Sequence, residues 1–388
     1  MKFTKVALAT TLALAAVAVQ AQTANVTLYG YINTSLESNR GSTKTTSVTV
    51  NRMTSNSSQF GFRGSESLGG GLSAVFDLQN GFGSDDGNLN GGVMFGRRAQ
   101  VGLEGGFGAI KLGYDLTPYD DVMGLSHQNI GSTGFQNRNN GLSSGPGFAS
   151  AQLFTNYGRG GTAGCATDGN FDARSANAIA YNTPNMGGLR LRTMYSIIEE
   201  TGSAGCKLWD TSAVYSNGPI TAGLAYSLHK NFRGFAGATV GAGAIGSTAG
   251  SHDQTAYRAY GRYNFGVARV DAAYEVMNWK VSSGALKAKY WELGAQVPLG
   301  ALNLGAQYSA RDNGTAFAYS APLGTSITAA TPIKTIRDSW TVGGGKHFAL
   351  VADYSFSKRT QFYGYFASMK NETGGKLNTP AIGLIHRF

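Results

Sequence analysis

The charged residues that stand out in the sequence fall into two groups of opposite sign. The first is basic: Arg98 and Lys111 in "FGRRAQVGLEGGFGAIKLGYD" (Phe95 to Asp115), with Arg63 and Arg174 elsewhere. The second is acidic, Asp120 and Asp121 in "TPYDDVMG". Opposed charges across a narrow aqueous space set up a transverse field, which favours polar solutes with oriented dipoles and biases the passage of ions. Each residue also has a plainer reading. Arg63 and Lys111 fit ordinary wall charges paired with neighbouring carboxylates, and Asp120 and Asp121 fit caps for a turn after Pro118.

Other chemistry finds little support. The five histidines, His127, His229, His252, His347 and His386, are scattered singly without metal-ligand spacing. "GAGAIG" (Gly241 to Gly246) matches the dinucleotide fingerprint in letters only, since it lies in Gly/Ala/Ser sequence with no strand and helix around it. No catalytic residue, metal or cofactor is expected. Cys165 and Cys206 are an isolated pair in Gly-rich sequence. In an oxidising compartment such a pair reads as a bridge between two loops, with free thiols or a metal site as the alternatives.

The elements that must carry these residues are strands. In "RAQVGLE", Ala99, Val101 and Leu103 fall on one side and Arg98, Gln100, Gly102 and Glu104 on the other. Ile110, Leu112 and Tyr114 resume the alternation after "GGFG", so the segment reads strand, turn, strand. A soluble sheet hides its apolar side, whereas a membrane barrel turns that side to lipid and keeps the polar side in its lumen. Short turns alternate with long polar connections along the whole chain. The short ones are 67–71, 105–108, 183–188, 216–219, 263–266, 297–301 and 353–359; the long ones are near 38–51, 83–92, 118–172, 200–206, 230–251, 282–287, 312–335 and 371–377. Seven turns and eight loops join sixteen strands, the layout of an antiparallel transmembrane β-barrel rather than a double sandwich or β-helix. A barrel of that size holds a water-filled channel.

Lys2 and Lys5 precede an apolar run from Val6 to Val19 ending in Val19-Gln20-Ala21. This reads as an export signal over residues 1–21, with the barrel over 22–388; the run is too short and Ala-rich to be preferred as a membrane anchor. Lys and Arg outnumber Asp and Glu by 32 to 22, giving a net charge of +10. Export and the lack of any recognition-helix or zinc-finger pattern exclude nucleic acid, leaving small anions or lipopolysaccharide as partners for the excess charge.

Several segments resemble the general-diffusion porins of Gram-negative outer membranes, most closely the beta-proteobacterial type. They are "VTLYGYINTSLE" (Val26 to Glu37), "SQFGFRGSESLGGGLSAVFDLQNGF" (Ser58 to Phe82), "GRRAQVGLEGGFGAIKLGYD", "ANAIAYNTPNMGGL" (Ala176 to Leu189), "YNFGVARVDAAYE" (Tyr263 to Glu275) and "FSKRTQFYGYFASMKN" (Phe356 to Asn371), with a terminal "GLIHRF" ending in Phe388. The resemblance implies a homotrimer in outer-membrane lipid and lipopolysaccharide, passing ions and small hydrophilic solutes with a modest preference for anions. It also implies a second loop, about Gly83 to Gly92, latched to a neighbour, and a third loop folded inward to narrow the pore. The family's row of wall arginines maps onto Arg98 and Arg174, while Gln59 stands where a third arginine is common, which weakens the expected anion preference. Arg97 is expected to snorkel outward to the membrane interface. A solute-specific channel with a tyrosine-lined path (Tyr29, Tyr31) and an adhesin built on the long loops are the alternatives.

Overall fold

The period of two folds as a closed sheet. The computed structural model describes residues 25–42, 47–89, 92–127, 171, 174–197, 207–233, 238–240, 243–245, 251–281, 284–312, 345–371 and 376–388. Its strands are β1 (Asn25–Ser42), β2a (Ser47–Ser55) and β2b (Gln59–Gly69), β3 (Leu72–Gly81), β4 (Arg98–Gly105), β5 (Gly108–Leu116), β6 (Arg174–Asn182), β7 (Leu189–Ile197), β8 (Lys207–Asn217), β9 (Ile220–Arg233), β10 (Ser251–Asn264), β11 (Arg269–Val281), β12 (Gly284–Leu299), β13 (Leu302–Asp312), β14 (Gly345–Ser355), β15 (Thr360–Asn371) and β16 (Lys376–Arg387). Each pairs antiparallel with the next. The sheet closes where β16 returns to β1, from Tyr31 opposite Arg387 to Ser42 opposite Lys376. The last residue completes the seam, Phe388 and Gly30 exchanging backbone hydrogen bonds at 3.0 and 3.1 Å.

β2a and β2b are one barrel strand with a break. β2a pairs with β1 from Thr34 to Ser42 and β2b pairs with β1 from Asn25 to Tyr31, so both lie along the same neighbour. Between them Ser57 takes a left-handed φ of 58°, a conformation non-glycine residues rarely hold. Side chains satisfy the polar groups the break exposes. The Asn33 N–H donates to Ser58 Oγ at 3.0 Å, and the Asn56 amide donates to Tyr363 Oη at 3.0 Å and Ser35 Oγ at 2.9 Å.

The barrel is apolar outside and polar within. Leu28, Ile32, Leu36, Val101, Leu103, Ile110, Leu112, Ile179 and Leu224 are all exposed on its outer face, whereas Asn33, Ser35, Glu37, Asp210, Arg258, Glu275 and Glu292 are buried on the inner one. Only a molecule whose exterior solvent is lipid gains from that inversion. Seven short connections lie at the end of the barrel that holds both chain ends, as expected, but three of the opposite connections are shorter than the sequence suggested. They span 43–46, 282–283 and 372–375. Polar side chains marked those segments as loops, yet backbone ladder bonds form regardless of side-chain polarity and carry the strands onward.

The third connection enters the barrel. Its described part holds a nine-residue helix, α1 (Tyr119–His127), with Asp120 and Asp121 in its first turn. There they complement the positive end of the helix dipole. Tyr119, Val122, Met123 and Ser126 share one face at helical spacing and are almost completely buried. That face packs on β8, β9, β10 and β11. At the contact, Gly223 of β9 lets the helix approach closely: a Cβ there would lie 2.9 Å from Leu125 and 3.0 Å from Val122. Gly241 to Gly246 contributes a strand, Gly243–Ile245, to a two-stranded ribbon with Ala238–Val240, not a strand-to-helix turn.

Candidate functional site: the lumen constriction

Alternation along β3, β4 and β5 sends Asp77, Arg98 and Asp115 to the inner face, and their spacing across adjacent strands brings them together. Arg98 donates to Asp115 at 2.6 Å and to Asp77 at 3.0 Å. Asp115 also accepts from Arg192 of β7 at 2.8 Å, and the same guanidinium reaches Asp121 of α1 at 3.0 Å. Asp121 in turn accepts from Ser212 of β8 at 2.8 Å. At the other end the Tyr29 hydroxyl of β1 donates to Asp77. A continuous belt of hydrogen-bonded charge therefore runs round the lumen wall from β1 to β8, crossing onto α1 on the way.

The belt alternates in sign, two guanidinium groups against three carboxylates, and each charge has an opposite neighbour within salt-bridge distance. Charge-assisted bonds of this length are stronger than neutral ones and fix side-chain directions. Burial pushes the Asp121 carboxyl above the ordinary aspartate range, against the opposing pull of Arg192 and Ser212. Its side chain nonetheless keeps 31% of its surface open to the lumen, so it remains a group that can titrate.

The other predicted residues take varied places. Lys111 pairs with Glu104 on the next strand at 3.1 Å. Arg63 is exposed with its guanidinium 5.1 Å from the Tyr29 ring centroid, a cation–π distance. Gln59 opens β2b directly after the break, level with Tyr31 of β1 and Gly81 of β3. Arg174 opens β6 beyond a bulge where Asp115 pairs with Ser175 but Gly113 pairs with Ala178, and it donates to the Arg97 carbonyl at 2.9 Å. Asp120 lies beside Asp121 and adds its negative charge there. Cys165 and Cys206, and residues 1–21, lie outside the described residues.

Arg97 corrects one expectation. It does not snorkel outward to lipid: its Nε lies 3.4 Å from Oε1 of the buried Gln79, on the lumen side. A loop residue immediately before the strand is not bound by the strand's parity, and the polar interior offers it partners that lipid does not.

Arg192 was not singled out in the sequence, although "LRLRTMY" alternates and places both Arg190 and Arg192 inward, opposite the exposed Leu191 and Tyr195. Both line a recess of about 410 Å³ with Arg98, Lys111 and Asp121. Arg258 was missed as well. It is fully buried beneath α1, donating to Glu275 at 3.0 Å and to Glu292 at 2.9 Å. Its signal was a charged residue at an inward position of β10, which the polar lumen made unremarkable. Among the described residues no group of three His, Cys, Asp or Glu is placed to hold a metal ion.

Comparison with known proteins accords with this architecture. The family model of the Gram-negative porins matches residues 7–374. Outer membrane porin protein 32 of Delftia acidovorans is 28% identical over 368 residues, which cover 93% of this chain and 88% of that protein. An outer membrane porin protein of Bordetella pertussis is 28% identical over 410 residues, 96% of each. Among solved structures, the anion-selective porin from Comamonas acidovorans has the same fold, with a TM-score of 0.67 at 24% identity over 94% of this chain and 100% of that one. The polar lumen, the apolar exterior and the whole-chain match lead to one assignment: this chain belongs to the Gram-negative porin family, and its place is the outer membrane.

Proposed function

We propose that the protein is a general passive-diffusion channel, without enzymatic activity, whose selectivity is set where α1 narrows the lumen and whose overall preference is modestly anionic. The observation that carries the channel reading is the belt Asp77–Arg98–Asp115–Arg192–Asp121, a row of fixed charges at the edge of the aqueous path, while the anionic preference rests on the further basic residues of the wall. Such a row acts on solutes through field and width rather than through a pocket closed around one ligand. Arg63, Arg174 and Lys111 add positive charge to the same wall, Gln59 adds none, and Asp120 and Asp121 provide the acidic side. Small hydrophilic solutes and anions are its cargo.

The lumenal tyrosines favour the general reading over a solute-specific one. Tyr363 and Tyr365 stack at 6.2 Å, but their hydroxyls donate to Asn33 and Glu37, both at 2.7 Å, which ties them into the wall. The protein works as a homotrimer in contact with outer-membrane lipid and lipopolysaccharide, with the loop at about Gly83 to Gly92 reaching a neighbour. Residues 1–21 are an export signal, and Cys165 and Cys206 are bridged.

Liposome swelling tests the reading. Proteoliposomes should admit small sugars at rates that fall smoothly with solute size. A single solute entering fast while smaller ones are excluded would replace general diffusion with a specific channel.

A further inference from the structure

The underside of α1 holds a second polar cluster that the solute path does not touch. Arg258 of β10 is the centre. Its Nη1 donates to Glu275 of β11 at 3.0 Å and its Nη2 donates to Glu292 of β12 at 2.9 Å, with side-chain exposures of 0%, 0% and 3%. Tyr290 and Gln307 donate to the remaining oxygen of Glu292 at 2.6 and 2.9 Å, and the guanidinium carbon lies 5.6 Å from the Tyr290 ring centroid. Three ionised groups are thus removed from water on one patch of wall. Such an arrangement is costly in isolation and persists only when its geometry and hydrogen bonding are nearly complete.

Two of the completing bonds come from α1, one from each end. The Tyr119 hydroxyl donates to Glu275 Oε1 at 2.8 Å, and Arg258 Nη2 donates to Ser126 Oγ at 2.7 Å. Tyr119 and Ser126 are seven residues apart, two helical turns or about 10 Å along the axis. The long phenol and the short hydroxyl reach the same ion pair from opposite ends of the helix. Between them Val122 and Leu125 rest over Gly223, close enough that a Cβ there would come within 2.9 Å of Leu125 and 3.0 Å of Val122.

We propose that Arg258 is the positioning residue of the constriction: through Glu275, Tyr119 and Ser126 it clasps both ends of α1 and so fixes how far the helix projects into the pore. Apolar packing alone lets a short helix slide or tilt over a glycine seat, whereas the clasp sets both its depth and its direction. On this account α1 is a rigid wall of the channel and does not act as a gate. The inference rests on the proposed conduction reading for its consequence, but its geometry is testable without any current.

The experiment uses the full-length protein refolded in lipid and reads amide hydrogen exchange over residues 119–127 beside single-channel records. Arg258→Leu strands two carboxylates and risks misfolding, so the working variant is Tyr119→Phe with Ser126→Ala, which leaves the ion triad of the wall intact. Exchange over α1 should rise at least tenfold with the strands still protected, and the single conductance level should split into several sublevels. A Val122→Cys/Gly223→Cys tether in a Cys165→Ser/Cys206→Ser background should restore both slow exchange and a single level. Unchanged exchange in the double variant overturns the clasp whether or not the protein conducts. Raised exchange in a protein that never conducts keeps the clasp and removes the channel reading instead.

Discussion

Arg192 on β7 and Asp121 on α1 are joined by an ion pair of 3.0 Å. That contact ties the third loop to the barrel wall at the edge of the aqueous path, and it makes the loop's acidic group part of the basic wall's own network rather than a charge standing across open water. Arg192 reaches Asp115 with its other arm and the Leu116 carbonyl as well. Loop position and wall charge are consequently coupled in one guanidinium.

Replacing Arg192 by glutamine removes one positive charge beside the pore. A unit charge acts on an ion about 7 Å away in water with roughly 0.6 kcal/mol. Each ion's local concentration should therefore change by about threefold, in opposite directions, moving the local cation-to-anion ratio toward cations by about sevenfold by the same Coulomb estimate before screening. The reversal potential in 0.1 M salt measures this. In 1 M salt the Debye length falls to about 3 Å and most of the difference should disappear.

Asp121 predicts a pH response. Its carboxyl is raised, so on acidification it takes up a proton above the range where ordinary aspartates do. The sign for stability follows: a raised carboxyl contributes stability present below the unfolded aspartate value of about 3.9, and that contribution is lost as pH rises through the folded value. For conduction, protonation uncovers the charge of Arg192. Anion preference should increase on acidification before the bulk of the carboxylates titrate, and Asp121→Asn should remove that early step from a reversal-potential titration.

Inside-out patterning predicts opposite outcomes at neighbouring positions of β4. Val101 is 57% exposed on the outer face. Val101→Arg should destabilise the barrel by about 2–4 kcal/mol if it lies near the bilayer midplane. Gln100→Arg, one residue away and facing the lumen, should leave stability nearly unchanged. Urea titrations of folding into lipid vesicles compare the two, and equal losses would contradict the assignment of faces.

The proposed bridge between Cys165 and Cys206 is tested by alkylation under denaturing conditions. Neither thiol should react until the protein is reduced. Ready labelling of both in unreduced protein would remove the bridge.

Much of the barrel was legible because alternation is a two-residue signal that survives in every strand, and "RAQVGLE" alone separates Val101 and Leu103 from Gln100 and Glu104. The inward third loop followed from the family resemblance, but its helix did not. "YDDVMGLSH" is short, carries Gly124 just past its centre, and looks like a capped turn until the wall residues that bury Tyr119 and Met123 are known. The break at Asn56 to Ser58 was hidden for a similar reason: only partners far away in sequence, such as Tyr363, show that the chain is folded there. Arg98 could be placed by parity, yet its neutralising partners Asp77 and Asp115 come from different strands, and pairing across a barrel depends on register that one sequence does not display.

The central claim is that a charged belt beside α1 governs passage through an open aqueous pore. The most direct test is the zero-current potential of the refolded protein in a planar bilayer under a salt gradient, recorded with single-channel conductance for the unaltered chain, Arg98→Gln and Arg192→Gln. Large conductance steps in groups of three, with an anion-favouring potential that both substitutions move toward cations, are the predicted result. A conducting pore whose potential ignores both substitutions would contradict control by the belt, and the absence of any conductance would contradict the channel itself.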